Sequence, residues 1–217
     1  LAKDLFKNLF LFEIICGGII VLLDQKIFFV KEQVEFLKMA GTYDIFDPET
    51  NRQIAVAKEE QSWFLKFLRL FINKTMLPTK IRVFDYQNQE TVITLEKPFT
   101  LLRSKIMVFN GQGHCLGYFK SKLLTLGGGF WIFNPIHRQV GEVKGDWKGW
   151  DFKFMTENNQ QLGTITKKWA GIGRELFTTA DNYVIAADEA KGELTMEQTA
   201  MLLAAGLAID IIFKERK

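Results

Sequence analysis

The sequence predicts an all-β domain, a closed twelve-stranded antiparallel β-barrel that encloses its own hydrophobic C-terminal α-helix. Three observations carry this reading. A short hairpin unit recurs along the chain, its first strand closing on Phe-Asp or Phe-Asn at Phe46-Asp47, Phe84-Asp85, Phe109-Asn110 and Phe133-Asn134. Residues 201–209 are apolar on every face of a helix. With 20 Phe and 5 Trp among 217 residues, the aromatic load suits sheets and a thick core.

The hairpins follow in order. Tyr43–Phe46 runs through the turn Pro48–Arg52 into Ile54–Ala57, and Ile81–Phe84 through Gln87–Gln89 into Thr91–Leu95. Ile106–Phe109 passes Gly111–Gly113 into Cys115–Phe119, Phe130–Phe133 leads to Val140–Val143, and Phe152–Phe154 to Leu162–Ile165. Alternating apolar runs around polar turns are the mark of β-hairpins. Ile27–Val30 with Val34–Met39 supplies a sixth unit, which brings the expectation to twelve strands. An antiparallel sheet of that size splits into layers or closes, and closure removes the exposed edges. Gly117, Gly141 and Gly163 recur at one place in successive units, as a bend or a close approach of backbones requires.

Two segments depart from the strand pattern. Trp63, Phe64, Phe67, Leu68 and Phe71 recur at helical spacing, so residues 61–73 form an amphipathic helix, either a plug over one end of the core or a face for lipid or a partner. Near the C-terminus, Thr195 followed three residues later by Gln198 reads as a capping box that starts a helix at residue 196. Its body cannot lie on a sheet with one side wet and has to be surrounded. Run to residue 213 it is about 27 Å long, comparable to a barrel's height. Asp210 must then reach an end of the lumen or find a partner. The whole chain, 1–217, is expected to be a single domain.

Composition excludes several classes. A hydrophobic fraction of 47% allows a sizeable core without disulfides or metal, and Cys16 and Cys115 read as buried small hydrophobes in a reducing compartment. A net charge of +3, from 28 basic and 25 acidic residues, is too mild to announce nucleic acid. The apolar runs 9–23 and 201–213 are shorter than the ~20 residues of a membrane span, so the expected location is cytoplasmic, with a peripheral place at a membrane. Gly127-Gly128-Gly129 precedes a strand and lacks the Lys-Ser/Thr of a phosphate loop. His114 and His137 sit in hairpin turns without a nucleophile or an acid beside them, and Arg174-Glu175 reads as a structural pair. No enzyme activity and no cofactor are expected.

The blocks Phe99–Ile106 with Gly111–Phe119, Gly141–Trp147, Ala180–Tyr183 and Leu202–Asp210 resemble, in order and spacing, the phospholipid scramblase family and through it the tubby-like superfamily with its LURP-one-related plant members. The resemblance implies a twelve-stranded barrel around a central helix. It also implies that the helix is a membrane span in the eukaryotic scramblases and that the acidic loop before it is a calcium site. The residues in that loop are Asp181, Asn182, Asp188 and Glu193, but they lack the order and the Gly of a calcium loop and read as a solvated acidic turn. The Cys-rich acylation stretch and Pro-rich tail of the animal proteins are not in this sequence.

The candidate site is a basic, Trp-containing rim. Lys144, Trp147, Lys148 and Trp150 interleave charge, Gly and indole; Lys167, Lys168 and Trp169 repeat the theme; Lys120 and Lys122 hold the matching place in an earlier hairpin. Neighbouring hairpins would gather these at one end of the barrel, where lysines meet lipid phosphates and indoles sit at headgroup level. Against this stands the reading in which the Trp side chains point inward and the lysines are ordinary solvation. The expected partners are anionic phospholipid headgroups or a membrane surface, with a protein partner as a second option and nucleic acid disfavoured for want of a reading helix. The functions in play are a non-enzymatic, scramblase-related lipid-binding module, a phospholipid translocator, and a structural or regulatory protein-binding domain. A lipocalin-like carrier ranks lowest, because the helix fills the lumen.

Overall fold

The computed structural model describes residues 22–33, 41–60, 67–68, 71–72, 76–101, 103–122, 128–146, 148–168, 182–188 and 192–213. Twelve strands precede a helix: β1 (Ile27–Glu32), β2 (Thr42–Asp47), β3 (Arg52–Glu60), β4 (Thr79–Asp85), β5 (Thr91–Lys97), β6 (Lys105–Asn110), β7 (Cys115–Ser121), β8 (Gly129–Phe133), β9 (Gln139–Asp146), β10 (Asp151–Thr156), β11 (Gln161–Thr166), β12 (Tyr183–Ala187) and α1 (Met196–Phe213). Each strand pairs antiparallel with the next, and β12 pairs with β1 to close the barrel.

One turn design is used five times. The connections β2–β3, β4–β5, β6–β7, β8–β9 and β10–β11 each carry a register shift at Phe46, Phe84, Phe109, Phe133 or Met155. Each also holds one residue at positive φ, namely Asn51, Gln89, Gly113, His137 or Asn159. The side chain that opens the turn accepts a backbone N–H further along: Asp47 from Glu49, Asp85 from Gln87, Asn110 from His114, Asn134 from Arg138 and Thr156 from Gln160. Asp or Asn after the aromatic in four of the turns, and Thr156 after Met155 in the fifth, recur because a short polar side chain satisfies turn donors that the sheet leaves over.

These five tight turns all lie at one end of the barrel. The longer β3–β4, β5–β6, β7–β8 and β11–β12 connections, together with the β9–β10 turn, lie at the other.

Alternation sends Ile45, Ala55, Val83, Leu95, Val108, Phe119, Phe130, Val143, Phe152 and Ile165 inward onto α1. From Thr199 to Ile212 every helix residue is buried. The capping box is present in both directions: Gln198 N donates to Thr195 Oγ1 at 3.2 Å, and Thr195 N to Gln198 Oε1 at 2.9 Å. A methyl group on Gly206 would overlap Ile185 Cδ1, so the small residues of α1 are what let the wall close on it. The recurring strand glycines mark close backbone approach: a Cβ on Gly163 would lie 2.7 Å from the Ala186 carbonyl oxygen and 2.8 Å from Leu202.

The structure corrects two expectations and bears on a third. The twelfth strand is Tyr183–Ala187, which closes the barrel on one flank of β1, while β2 takes the other flank, where the sequence predicts a hairpin with 34–39. Val34–Met39 itself lies outside the described residues. Cys115 is an exposed free thiol, because it opens β7 directly after a solvent-facing turn; Cys16 lies outside the described residues. Of the helix expected over 61–73, residues 61–66, 69, 70 and 73 lie outside the described residues; Phe67 and Leu68 are helical, Ile72 N donates to Leu68 O at 2.9 Å, and Phe67 and Phe71 are 56% and 74% exposed, as in the outward-facing of the two readings and not the plug.

Candidate functional site

The end of the barrel with the long connections gathers the lysines that the sequence singles out. Lys120 and Lys122 lie at the end of β7, Lys144 near the end of β9, Lys148 in the turn after it, and Lys167 and Lys168 directly after β11. Strand register sets their neighbours on the outer wall. Lys120 stands opposite Lys105 on one side and Trp131 on the other, and Lys144 stands opposite Lys153. Like charges placed directly across a sheet destabilise it, so two such pairs on adjoining parts of one wall come at a cost to folding.

Glu142 partly neutralises this wall. Its carboxylate forms an ion pair with Lys122 and another, at 3.3 Å, with Lys144. Burial works to raise the Glu142 carboxyl, but the hydrogen bond and charge of Lys122, followed by those of Lys144, outweigh it and hold it below the usual range. The Lys122 ammonium also lies 3.8 Å from the centre of the Trp131 ring, and its side chain is only 8% exposed. Lys122 is thus engaged by Glu142 and Trp131, whereas Lys144 is 46% exposed.

At the lip, Asp146 organises the β9–β10 turn by accepting the N–H groups of Lys148 and Gly149 at 3.0 and 3.1 Å. Lys148 and Lys168 are exposed there, and Asp151 faces Asp146 across the strands. Trp150 turns inward. Its φ of 47° swings the ring onto Tyr183, 5.3 Å between centroids, and edge-on to Phe152, while Lys167 caps it with a cation–π contact at 4.3 Å. For Trp150 the inward reading therefore prevails. Trp147 and Trp169 lie outside the described residues.

The structure separates the calcium candidates. Asn182 is buried just before β12 and Asp188 follows it, which a six-residue step along an extended strand puts about 20 Å apart. Glu193 lies exposed beyond Asp188, at the lip of a 410 Å³ cleft lined also by Asp24 and Lys26, and Asp181 lies outside the described residues. Among the described residues no three His, Cys, Asp or Glu side chains come together as a metal site.

Lys105, Lys153 and Trp131 belong to the basic wall and were missed in the sequence. Their signal was the alternation Phe130-Trp131-Ile132-Phe133, which sends Trp131 outward, but their proximity depends on register across strands.

A closed twelve-stranded antiparallel barrel filled by its own C-terminal helix is the tubby-like fold. A solved Arabidopsis thaliana protein is similar over 88% of this chain and 93% of its own, with a TM-score of 0.50 at 14% identity, which speaks to fold alone. The chain belongs to the scramblase family, whose model matches residues 16–216. It is 21% identical to Altered inheritance rate of mitochondria protein 25 of Saccharomyces cerevisiae over 90% of the chain and 72% of that protein. It is 23% identical to a phospholipid scramblase family protein of Schizosaccharomyces pombe over 89% of the chain and 55% of that protein. Human phospholipid scramblase 2 is 29% identical over 64% of the chain and 50% of its own length. The chain thus spans about half the length of these last two relatives. No described helix is long and apolar enough to cross a membrane.

Proposed function

We propose that this scramblase-family domain is a non-enzymatic module that binds the anionic headgroups of a phospholipid bilayer through its basic rim. The observation that carries the reading is the pair of cross-strand lysine couples, Lys105 with Lys120 and Lys144 with Lys153, set on the wall below Lys148 and Lys168. An arrangement that costs folding energy is retained where an anionic ligand offsets the repulsion, and lipid phosphates do so over the area of a barrel end. The names of the relatives support the choice of phospholipid. Translocation is less well supported, since it requires α1 to leave a barrel whose walls are fitted to it. The test is co-sedimentation with phosphatidylcholine vesicles with and without phosphatidylserine. Binding should rise with anionic lipid, weaken with salt, and fall about tenfold or more when Lys144, Lys148, Lys167 and Lys168 are changed to Glu, on ~1 kcal/mol per basic residue near the surface. Binding that ignores lipid charge and these changes refutes it.

A further inference from the structure

The basic residues share their end of the barrel with a second chemistry. The β3–β4 connection exposes Phe67 and Phe71, 56% and 74%, and the β5–β6 connection exposes Phe99 and Leu101, 51% and 69%. The rings of Phe67 and Phe71 touch one another at 5.3 Å between centroids. The two connections are joined by a backbone hydrogen bond, Thr100 N to Met76 O at 3.1 Å. The apolar group runs on directly into the basic wall, because the exposed Arg103 and then Lys105 follow Leu101 along the chain into β6. At the opposite end Tyr86, Ile136, Val140 and Met196 are exposed, but they are spread over the β4–β5 turn, the β8–β9 hairpin and the start of α1, and among the described residues no cluster of lysines borders them.

From this placement we infer that the described parts of the β3–β4 and β5–β6 connections act as a wedge that enters the acyl boundary of a phospholipid bilayer, with Phe67, Phe71, Phe99 and Leu101 as its inserted side chains. This rests on the reading of the basic rim as a lipid-facing surface and adds a component that the lysines cannot supply. Charge recruits the domain over a Debye length and is screened by salt. Apolar side chains transferred out of water hold it there regardless of salt. The occupant is a bilayer and not a protein groove because cations border the apolar group on the same barrel end, as anionic headgroups border the acyl layer.

The experiment uses the full chain with two readouts, salt resistance of binding to phosphatidylcholine–phosphatidylserine vesicles and the pressure rise on insertion into a lipid monolayer. The variant Phe67→Ser/Phe71→Ser/Phe99→Ser/Leu101→Ser should keep low-salt binding. It should lose the pressure rise and bind about tenfold or more weakly at high salt, since the salt-resistant part of binding is the apolar burial. Ile136→Ser, a change at an equally exposed site on the far end, should match the parent in both. The single variants Phe71→Ser and Leu101→Ser give the same sign if the fourfold variant unfolds. The wedge is overturned if the serine variants insert and resist salt like the parent, or if the parent raises no pressure. Loss of charge dependence with insertion intact would instead remove the basic-rim reading and keep the wedge.

Discussion

The phenol of Tyr43 donates a 2.6 Å hydrogen bond to the Asp210 carboxylate inside the barrel, tying β2 to α1 across 167 residues of chain. Tyr183 is also fully buried beside this carboxylate, but its hydroxyl makes no hydrogen bond. The two phenols should respond oppositely to removal. Tyr43→Phe takes a donor from a buried acid and should cost about 1–3 kcal/mol, whereas Tyr183→Phe removes an unsatisfied buried hydroxyl and should be neutral or stabilising. Chemical denaturation of both variants checks the contrast.

The same phenols set an alkaline limit. Burial first, and then the Asp210 charge, push both hydroxyls well above the ordinary value of 10.0. In the folded state each stays protonated where the unfolded chain ionises. Their contribution is whole below pH 10.0 and is lost as pH rises from there toward the folded-state values. The melting temperature should therefore fall above that pH, and less steeply in Tyr183→Phe.

Glu142 makes the complementary acid prediction. With its carboxyl held below the ordinary 4.5, its ion pairs contribute fully above that pH and are lost as pH falls through the lowered value. Glu142→Gln should flatten the acid limb of the stability curve. Because the change leaves Lys122 and Lys144 without their shared counter-charge, it should also strengthen low-salt binding to anionic vesicles.

The repeated turns allow a test by glycine exchange. Gln89 has a φ of 59° and Gly113 a φ of 82°, with open space where a Gly113 side chain would go. Gly113→Ala should destabilise by roughly 1 kcal/mol, since only the left-handed backbone is at issue there. Gln89→Gly relieves the same backbone conformation but also removes the Gln89 Nε2 donor to Tyr86 O, so it should stabilise by less. Gly163→Ala should cost more, about 1–3 kcal/mol, because its obstacle includes a backbone carbonyl. Urea unfolding midpoints rank the three.

The sequence made the hairpins legible because each turn needs its own polar side chain, and those chains stand in the sequence after Phe46, Phe84, Phe109 and Phe133. The enclosed helix was legible because residues 201–209 offer no wet face. Strand β12 was not. Five residues, Tyr183–Ala187, between acidic neighbours look like part of a loop until their partners β1 and β11 are known. The basic end of the barrel followed from hairpin order alone, which is why Lys144, Lys148 and Lys168 fall together. Trp150 did not follow, because its direction is decided by one positive φ. Nor did the exposed ring pair Phe67–Phe71, whose spacing is the same whether the rings face a core or water.

The ring of strands is joined by β1 and β12, and the rod inside it lies further along the chain than either. On the ribosome, where synthesis delivers ~5–20 residues per second, the first eleven strands therefore emerge before anything exists to close or fill them. Until then the nascent sheet is an open trough with a greasy floor, a natural client for chaperones. A premature stop between β12 and α1 would yield not a smaller working domain but a hollow one, and one before β12 an open trough.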